Sequence, residues 1–194
     1  MDRKQNKKND IINASIGLMH LRGYNGTSVK DITDIAGIPK GSFYNYFKDK
    51  EHYAVDALNY FFFELFNNYT SILIDKNLKP LERINKFFKS LISLLEKQDL
   101  KLGCFIGNIT QEMGNTSELI SDTVAKIHSE LETMIYNNLI EAYENKTLKK
   151  ELDLKVLASF IVNSWQGTLL RTKVTNDQTI LNAFYTVLNE DLLK

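Results

Sequence analysis

The segment that most constrains the fold is residues 27–50, TSVKDITDIAGIPKGSFYNYFKDK. Ser28 is followed three residues later by Asp31, which is the spacing of a capping box, where a hydroxyl and an acid each accept a backbone N–H at the start of a helix. Apolar residues then recur at helical spacing, which predicts a helix over residues 28–36. Gly37 follows at the place where a left-handed residue ends many helices.

A second short helix is expected directly after this one. Pro39 has a fixed φ and lacks an N–H, so it suits the first turn of a helix, which we place at residues 40–47. Phe43 and Phe47 are predicted to point to a core, whereas most other side chains of this helix are polar or amphipathic. Two short helices joined by a tight turn are the arrangement of a helix-turn-helix, whose second helix enters the major groove of DNA.

The polar side chains of this second helix have the chemistry that DNA recognition uses. Lys40 and Asn45 can hydrogen-bond to base edges, Ser42 can bond to a base or a phosphate, and the Tyr44 hydroxyl can reach a phosphate. Gly41 has two explanations: it avoids a clash in the tight turn, or its bare Cα lets the backbone approach DNA closely. Both explanations stay open at this point.

The wider segment resembles a known DNA-binding domain. The pattern G-x-x-x-T-S-V-x-D-I…A-G-I-x-K-G-x-F-Y-x-Y-F-x-x-K-E, within residues 9–58, is similar to that of the TetR/AcrR family of bacterial transcriptional regulators. This pattern is much longer, and so more specific, than a bare helix-turn-helix. The family contacts phosphate at the start of the next helix, which implies that role for Tyr46 and Lys50. The full set of expected DNA-binding residues is Thr27, Ser28, Lys40, Gly41, Ser42, Tyr44, Asn45, Tyr46 and Lys50.

Charge is distributed unevenly, although the formal net charge of the 194 residues is zero. Residues 1–50 hold nine Lys/Arg and five Asp, a net charge of +4, and the remaining chain holds 15 Lys/Arg and 19 Asp/Glu, a net charge of −4. A basic amino-terminal part on an acidic body fits a protein with one DNA-facing end. Lys4, Lys7 and Lys8 supply much of the excess, so a solvated basic tail also explains the charge taken alone.

The composition argues against several other classes of protein. The sequence has a single cysteine and no apolar run long enough to span a membrane, so neither disulfides nor a membrane partner is expected. The start, MDRKQNKKND, lacks the apolar core of a secretory signal, which predicts a cytoplasmic protein. His20, His52 and His128 are scattered, so no metal and no cofactor is predicted. Phosphate-loop, H-E-x-x-H and G-x-S-x-G motifs are missing, which leaves an enzyme or a helical protein that does not bind DNA as remote alternatives.

Helical segments fill the rest of the chain. No segment alternates polar and apolar residues as a strand would, which predicts an all-α fold of about nine helices. The aromatic run at residues 60–66 makes the helix that starts after Asp49 apolar around nearly its whole circumference, so burial on several sides is expected. Outside the helix-turn-helix, the predicted helices are 10–22, 49–74, 80–96, 103–113, 117–145, 153–173 and 176–193.

The family resemblance also implies a division of labour. Residues 1–49 would be the helix-turn-helix DNA-binding domain, and residues 50–194 a helical regulatory and dimerisation domain. The family assembly implies a homodimer with a four-helix interface, built here from residues 153–173 and 177–192 of each subunit. Such a dimer would bind a palindromic DNA operator as a repressor and be released by an unknown small-molecule inducer. Side chains available either for the interface or for the core of one subunit are Phe160, Trp165, Leu169, Phe184, Tyr185 and Leu188.

The single cysteine lies in a second pattern, G-C-[apolar]-x-x-[NK]-[apolar]-x-x-E, which begins at Gly103. This pattern resembles the branch of the family that contains the N-ethylmaleimide-responsive repressor NemR. The resemblance implies that Cys104 senses electrophiles and oxidants and that Lys173 assists it. A helix N-terminus and a nearby lysine both stabilise a thiolate, but an inert buried cysteine is the interpretation that we favour, because most free cysteines are of that kind.

A reversibly bound inducer is the alternative mechanism, and we favour it because a buried cysteine is inert more often than it is reactive. Aromatic side chains on several helices are able to line a pocket, although such residues more often form ordinary core. Nothing in the sequence identifies the ligand. The residues expected to line the pocket are Phe62, Phe66, Phe88, Cys104, Phe105, Tyr136 and Trp165.

Overall fold

A computed structural model describes residues 3–97, 100–148 and 153–194. Within these ranges the chain forms α-helices with short 3-10 and π-helical segments and no strand, which confirms the all-α prediction. No helix of the described part is long and apolar enough to cross a membrane. The helices are α1 (Arg3–Arg22), α2 (Val29–Ile35), α3 (Lys40–Phe43), α4 (Lys50–Tyr60), α5 (Asn67–Thr70), α6 (Pro80–Leu95), α7 (Phe105–Met113), α8 (Glu118–Glu144), α9 (Leu154–Thr175) and α10 (Thr179–Val187).

The helices belong to two compact units. Unit 1 comprises Met1–Leu65 and Phe105–Lys126, and unit 2 comprises Phe66–Cys104 and Ile127–Lys194. Unit 1 therefore contains the whole helix-turn-helix together with α7 and the start of α8. The two units are defined by packing and do not test the predicted functional boundary after residue 49, which stays a prediction.

Unit 1 is held together by an aromatic cluster between α3 and α4. The ring centroids of Phe43, Phe47 and Tyr53 lie 5.0–6.0 Å apart, and all three side chains are buried. The Tyr53 hydroxyl shares a hydrogen bond of 2.7 Å with Ser15 of α1, and burial raises its pKa to about 12. Lys8 pairs with Asp56 at 2.5 Å, which helps to explain why α1 begins well before the predicted residue 10.

The second helix of the motif is shorter than predicted. It is α-helical over Lys40–Phe43 and continues as tight turns, because the amides of Asn45 and Tyr46 donate to carbonyls three residues back, at 3.2 and 3.0 Å. This is the closer spacing of a 3-10 turn. The chain reaches Phe47 by this route, so the predicted end of the segment is right and its uniform helical form is wrong.

The predicted helix over residues 49–74 is interrupted. It is α-helical to Tyr60, π-helical over Phe61–Leu65, and then continues as α5 and a 3-10 turn over Ser71–Ile74. Burial on several sides is also wrong for part of the aromatic run, since Phe63 is 52% exposed although Phe62 is buried. Insertion of a π-helical turn changes which residues face the core, and such turns are frequent at functional sites.

Unit 2 buries an arginine, with polar partners, beside its apolar core. Arg83 of α6 is 3% exposed; its guanidinium donates to the Asp75 carbonyl at 2.7 Å, to Asn138 at 3.1 Å and to both Glu141 oxygens at 2.8 and 3.2 Å. Hydrogen bonds from Arg83 and then Lys76 lower the pKa of Glu141 to about 2. A buried guanidinium requires such partners, so this cluster fixes α6 against α8.

Candidate DNA-binding surface and regulatory region

The first helix of the motif begins with the predicted capping box. Ser28 Oγ accepts the Asp31 amide at 3.1 Å, and the Asp31 carboxylate accepts the Ser28 amide at 2.8 Å. The Ser28 hydroxyl also donates to the Asp31 carboxylate at 2.5 Å, and this bond, followed by the one from the Ser28 amide, holds the pKa of Asp31 below its usual value. Gly37 ends the helix with φ of +64°, the left-handed conformation that the sequence predicted. Local chemistry therefore sets both ends of α2.

The segment from α3 onward presents a polar face to solvent. Lys40, Gly41, Tyr44 and Asn45 are exposed, whereas Phe43 is fully buried. Of the remaining predicted DNA-binding residues on this side, Ser28 is exposed, and Ser42 and Tyr46 are half-buried. A buried phenylalanine thus anchors a short helix whose outer face carries side chains that are able to donate and accept hydrogen bonds.

Gly41 lies in open space. A Cβ built at this position meets no atom within 4 Å, apart from those of the glycine, its chain neighbours and the backbone of its own helix. The explanation that Gly41 avoids a clash in the turn therefore finds no support in the structure. The remaining explanation is that the bare Cα lets DNA approach the backbone closely, and this stays a prediction.

Two of the residues predicted to touch DNA are engaged inside the protein. The Thr27 side chain is fully buried and its hydroxyl donates to the Gly23 carbonyl at 2.8 Å. The Lys50 ammonium donates to the carbonyls of Tyr24 at 2.9 Å and Thr27 at 3.0 Å and lies 4.1 Å from the Tyr24 ring centroid. Thr27 is thus a structural residue of the turn before α2, and Lys50 binds that turn. A burial-driven decrease in the Lys50 pKa accompanies these contacts.

The predicted pocket residues form separate groups. In unit 2, Phe88 of α6 packs against Trp165 and Phe184, with ring centroids 5.4 and 5.1 Å away. In unit 1, Phe105 at the start of α7 packs against Phe61 at 5.3 Å and against His20 at 5.6 Å. The other predicted positions are Phe62, which is buried, and Phe66, Cys104 and Tyr136, which are half-buried.

The last two helices expose an apolar groove of about 380 Å³. Phe160 of α9 is 53% exposed, and Val187 at the end of α10 is 47% exposed. By contrast, Trp165, Leu169 and Leu188 are buried within the chain, so they belong to the core of one subunit. The groove is lined by Phe160, Ser164, Gly167, Thr168, Arg171, Ile180, Ala183, Phe184, Val187 and Leu192.

Comparison with known proteins decides the family. Residues 11–52 match the family model for bacterial regulatory proteins of the tetR family, and residues 80–188 match that of the tetracyclin repressor-like C-terminal domain. The second match covers more than half of the chain. The chain belongs to the TetR family. It is accordingly a ligand-responsive, DNA-binding transcriptional regulator and not an enzyme, as the sequence predicted.

Curated TetR-family relatives match over most of their length. The transcriptional repressor DhaR of Mycobacterium sp. strain GP1 is 36% identical over 172 residues, which are 89% of this chain and 85% of that protein. The transcriptional regulator AcuR of Cereibacter sphaeroides is 31% identical over 176 residues, which are 87% of this chain and 78% of that protein.

Solved TetR-family structures have the same fold. The regulatory protein TetR from Rhodobacter sphaeroides superposes with a TM-score of 0.84 at 24% identity, over 93% of this chain and 96% of that chain. The reduced form of E. coli NemR superposes with a TM-score of 0.85 at 20% identity, over 95% and 96% of the two chains. At these identities the likeness establishes the fold.

The G-C pattern of this TetR-family chain contains contacts that sequence reasoning only partly anticipated. A Cβ on Gly103 would lie 2.8 Å from Lys173 Cδ, so the Lys173 stem packs on the residue before Cys104. The last residue of the pattern, Glu112, binds the amides of Tyr24 and Asn25, a contact that was not predicted. In the sequence, the acid at the end of the G-C pattern was the feature that could have pointed to this contact. No cluster of three metal-binding side chains occurs among the described residues.

Proposed function

We propose that this TetR-family chain is a homodimeric repressor that binds a palindromic operator. The observation that carries the proposal is the exposed polar face of Lys40, Gly41, Tyr44 and Asn45, which follows the capped helix α2. Lysine and asparagine are residues that read base edges in the major groove. Repression is favoured over activation because the DhaR relative is a repressor.

The dimer would form through the apolar groove of α9 and α10. Exposed apolar patches of this kind on a folded chain mark interaction sites, and a homodimer covers the same patch on both subunits. Phe160 and Val187 supply exposed apolar surface, while Gly167 lets a partner helix approach closely. Two-fold symmetry then requires two operator half-sites about 34–36 Å, or one helical turn, apart.

A small-molecule inducer would act on the regulatory region, residues 50–194. The rings of Phe88, Trp165 and Phe184 pack on one another, so an inducer that binds there would separate them, and rings of this kind bind apolar or aromatic molecules. The inducer needs only a few kcal/mol of differential affinity between DNA-binding and free conformations to release the operator.

Fluorescence anisotropy tests the operator proposal. The wild-type protein is titrated with a duplex from the region upstream of its own gene and with a shuffled duplex of equal composition. We expect tighter binding to the native duplex and an affinity that falls steeply with salt, because phosphate contacts release counterions. Asn45→Ala should cost about 1–3 kcal/mol on the native duplex and relax base preference at one position of each half-site. Equal affinity for both duplexes at physiological salt would contradict the proposal.

Thiol modification is a second candidate for induction. The contact of the Lys173 stem with Gly103 favours it, because this contact places the lysine side chain beside the residue that precedes Cys104. A nearby cation lowers the pKa of a thiol and raises the fraction of reactive thiolate. The exposed fraction of Cys104 is intermediate, which gives a reagent partial access.

Cys104→Ser separates the two induction mechanisms, because the sequence contains one cysteine. If the thiol is the sensor, a quinone or hypochlorite releases operator DNA from the wild type, and the serine variant stays bound. Intact mass should then show one adduct or an oxidised thiol in the wild type only. If both proteins release DNA equally, the thiol mechanism is wrong, and the expected signature of the pocket is thermal stabilisation that grows with ligand concentration.

A further inference from the structure

The turn between α1 and α2 is gripped by an acid that is distant in sequence. Glu112, in the last turn of α7, accepts the Tyr24 amide on Oε1 at 3.1 Å and the Asn25 amide on Oε2 at 2.8 Å. Both oxygens of one carboxylate are therefore used by two successive backbone N–H groups. Hydrogen bonds to a charged acceptor are roughly twice as strong as neutral ones. All of these residues lie in unit 1.

The turn is shaped to admit this carboxylate. Gly23 ends α1 with φ of +75°, a conformation that side chains rarely adopt. A Cβ on Gly23 would lie 1.9 Å from Glu112 Oε1, which is far inside contact distance. The backbone conformation thus favours glycine at this position, and the missing Cβ leaves the space that the Glu112 carboxylate occupies.

A cation binds the same turn through its carbonyl groups. The Lys50 ammonium donates to the carbonyls of Tyr24 and Thr27, while Glu112 accepts the amide of Tyr24. The negative charge of Glu112 opposes the desolvation that lowers the Lys50 pKa. The Glu112 carboxylate therefore binds the Tyr24 amide, and the Lys50 ammonium binds the Tyr24 carbonyl. These contacts fix the turn directly before the cap residue Ser28.

The segment after Glu112 makes a second contact with the DNA-binding part. The hydroxyl of Ser117, which is 5% exposed, donates to the carboxylate of Glu51 in the first turn of α4. Ser117 Oγ also accepts the Ile120 amide at 3.1 Å at the start of α8. Residues 112–117 thus hold two elements that flank the helix-turn-helix, the turn before α2 and the start of α4.

We infer that Glu112 is a positioning residue for operator binding: its carboxylate sets the turn at residues 23–27 and thereby the orientation of α2 and α3 toward DNA. This inference rests on the operator binding proposed above. Glu112 acts through the backbone of Tyr24 and Asn25 and needs no contact with DNA. A movement of α7 that withdraws the carboxylate would loosen the turn without altering any DNA-contacting side chain.

Replacement of Glu112 by glutamine tests this role with little change of shape. The glutamine carbonyl can accept one amide, but its NH₂ group meets the second N–H donor. Glu118→Gln is the matched control, because it removes the same charge from an exposed side chain at the start of α8. All proteins are compared at a temperature where circular dichroism shows them fully folded.

We expect Glu112→Gln to weaken operator affinity by about tenfold relative to Glu118→Gln, the size of a lost charge-assisted hydrogen bond. Affinity for the shuffled duplex and the slope of affinity against salt should match the control, because the phosphate contacts are the same. Equal operator affinity of the two glutamine variants would overturn the inference. A purely structural role of Glu112 predicts a lower melting temperature with unchanged operator affinity of the folded protein. That result would also overturn the inference.

Hydrogen exchange gives a readout that needs no DNA. In Glu112→Gln one of the amides of Tyr24 and Asn25 should exchange at least about fivefold faster than in Glu118→Gln, since the glutamine carbonyl can replace only one of the two acceptors. Unchanged exchange of both amides would show that Glu112 does not hold the turn, whatever the protein binds. Faster exchange without any sequence-specific DNA binding by the wild type would instead refute the proposed function.

Gly23→Ala provides an independent variant, because its Cβ displaces the carboxylate. Gly23→Ala alone should weaken operator affinity at least as much as Glu112→Ala. If both residues act through one contact, the double variant should bind about as weakly as Gly23→Ala. Its loss of operator affinity should then be far smaller than the product of the two single losses. Fully multiplicative losses would show that the two residues act independently and would overturn the inference.

Discussion

The helix-turn-helix and unit 2 are stabilised by different kinds of contact. In the motif, α2 is set by neighbours in sequence: Ser28 and Asp31 cap its start, and Gly37 ends it in a left-handed conformation. In unit 2, the defining contacts join distant residues, such as Arg83 with Glu141 and Phe88 with Trp165. Local contacts specify one shape, whereas long-range apolar packing tolerates substitutions that keep volume and pattern. The shape of α2 therefore depends on a few adjacent residues, and that of unit 2 on packing between distant ones.

The largest expected effect on stability is in the aromatic cluster of unit 2. Phe88 is fully buried against Phe87, Trp165 and Phe184, so Phe88→Ala should reduce the free energy of unfolding by about 3–5 kcal/mol. Urea denaturation measures this loss. Phe63→Ala is the control, because Phe63 is 52% exposed, and it should cost less than about 1 kcal/mol. Similar losses for the two variants would remove the distinction between core and surface rings.

A charge in the groove of α9 and α10 should break the proposed dimer while the fold is retained. Gly167 has open space around its Cα, so Gly167→Arg fits the single subunit but blocks a partner. Light scattering should show a monomer, and operator affinity should fall by about a hundredfold or more as the second half-site is lost. Ile74→Arg, at an apolar residue that is 64% exposed outside these helices, should remain dimeric. A dimeric Gly167→Arg protein would place the interface elsewhere.

The cap of α2 should have a moderate, local effect. Ser28→Ala removes an acceptor for the Asp31 amide and should lower the free energy of unfolding by about 1 kcal/mol. Urea denaturation measures this loss, and Ser71→Ala, at another exposed serine, is the control. A loss as large as that of Phe88→Ala would mean that the motif also depends on long-range packing through this residue.

The smallest effect is a pH dependence in unit 2. The pKa of Glu141 is about 2 in the folded protein against an ordinary value of 4.5, so the ionised carboxylate stabilises the fold above pH 4.5. That contribution is lost as the pH falls from 4.5 toward 2. The Glu141 side chain is 39% exposed, so solvent screening limits this pH-dependent part to about 1 kcal/mol or less. The stability gap between wild type and Glu141→Gln should therefore shrink between pH 6 and pH 3, and a constant gap would contradict the assignment.

Sequence alone predicted the parts of the fold that depend on near neighbours. The capping box at Ser28, the left-handed Gly37 and the helix start at Pro80 all follow from the chemistry of a few adjacent residues. The outer face of α3 was predicted for the same reason, since the buried Phe43 and Phe47 fix which residues point outward.

The contacts that the sequence did not predict join residues far apart in the chain. Glu112 reaches amides 87 and 88 residues away, and Lys50 reaches carbonyls 26 and 23 residues away. The family resemblance implied a phosphate contact for Lys50, whereas the folded chain gives its ammonium two carbonyl partners. The π-helical turn at Phe61–Leu65 and the exposure of Phe63 depend on tertiary packing in the same way.

The most direct test of DNA recognition by α3 is the operator affinity of Gly41→Leu, measured together with its melting temperature. Because a Cβ at Gly41 meets open space, the leucine variant should fold and melt as the wild type does or slightly higher. If DNA covers this face, operator affinity should fall by at least about tenfold, since the added side chain blocks close approach of the backbone. Wild-type operator affinity in a fully folded Gly41→Leu protein would contradict the assignment of this face to DNA.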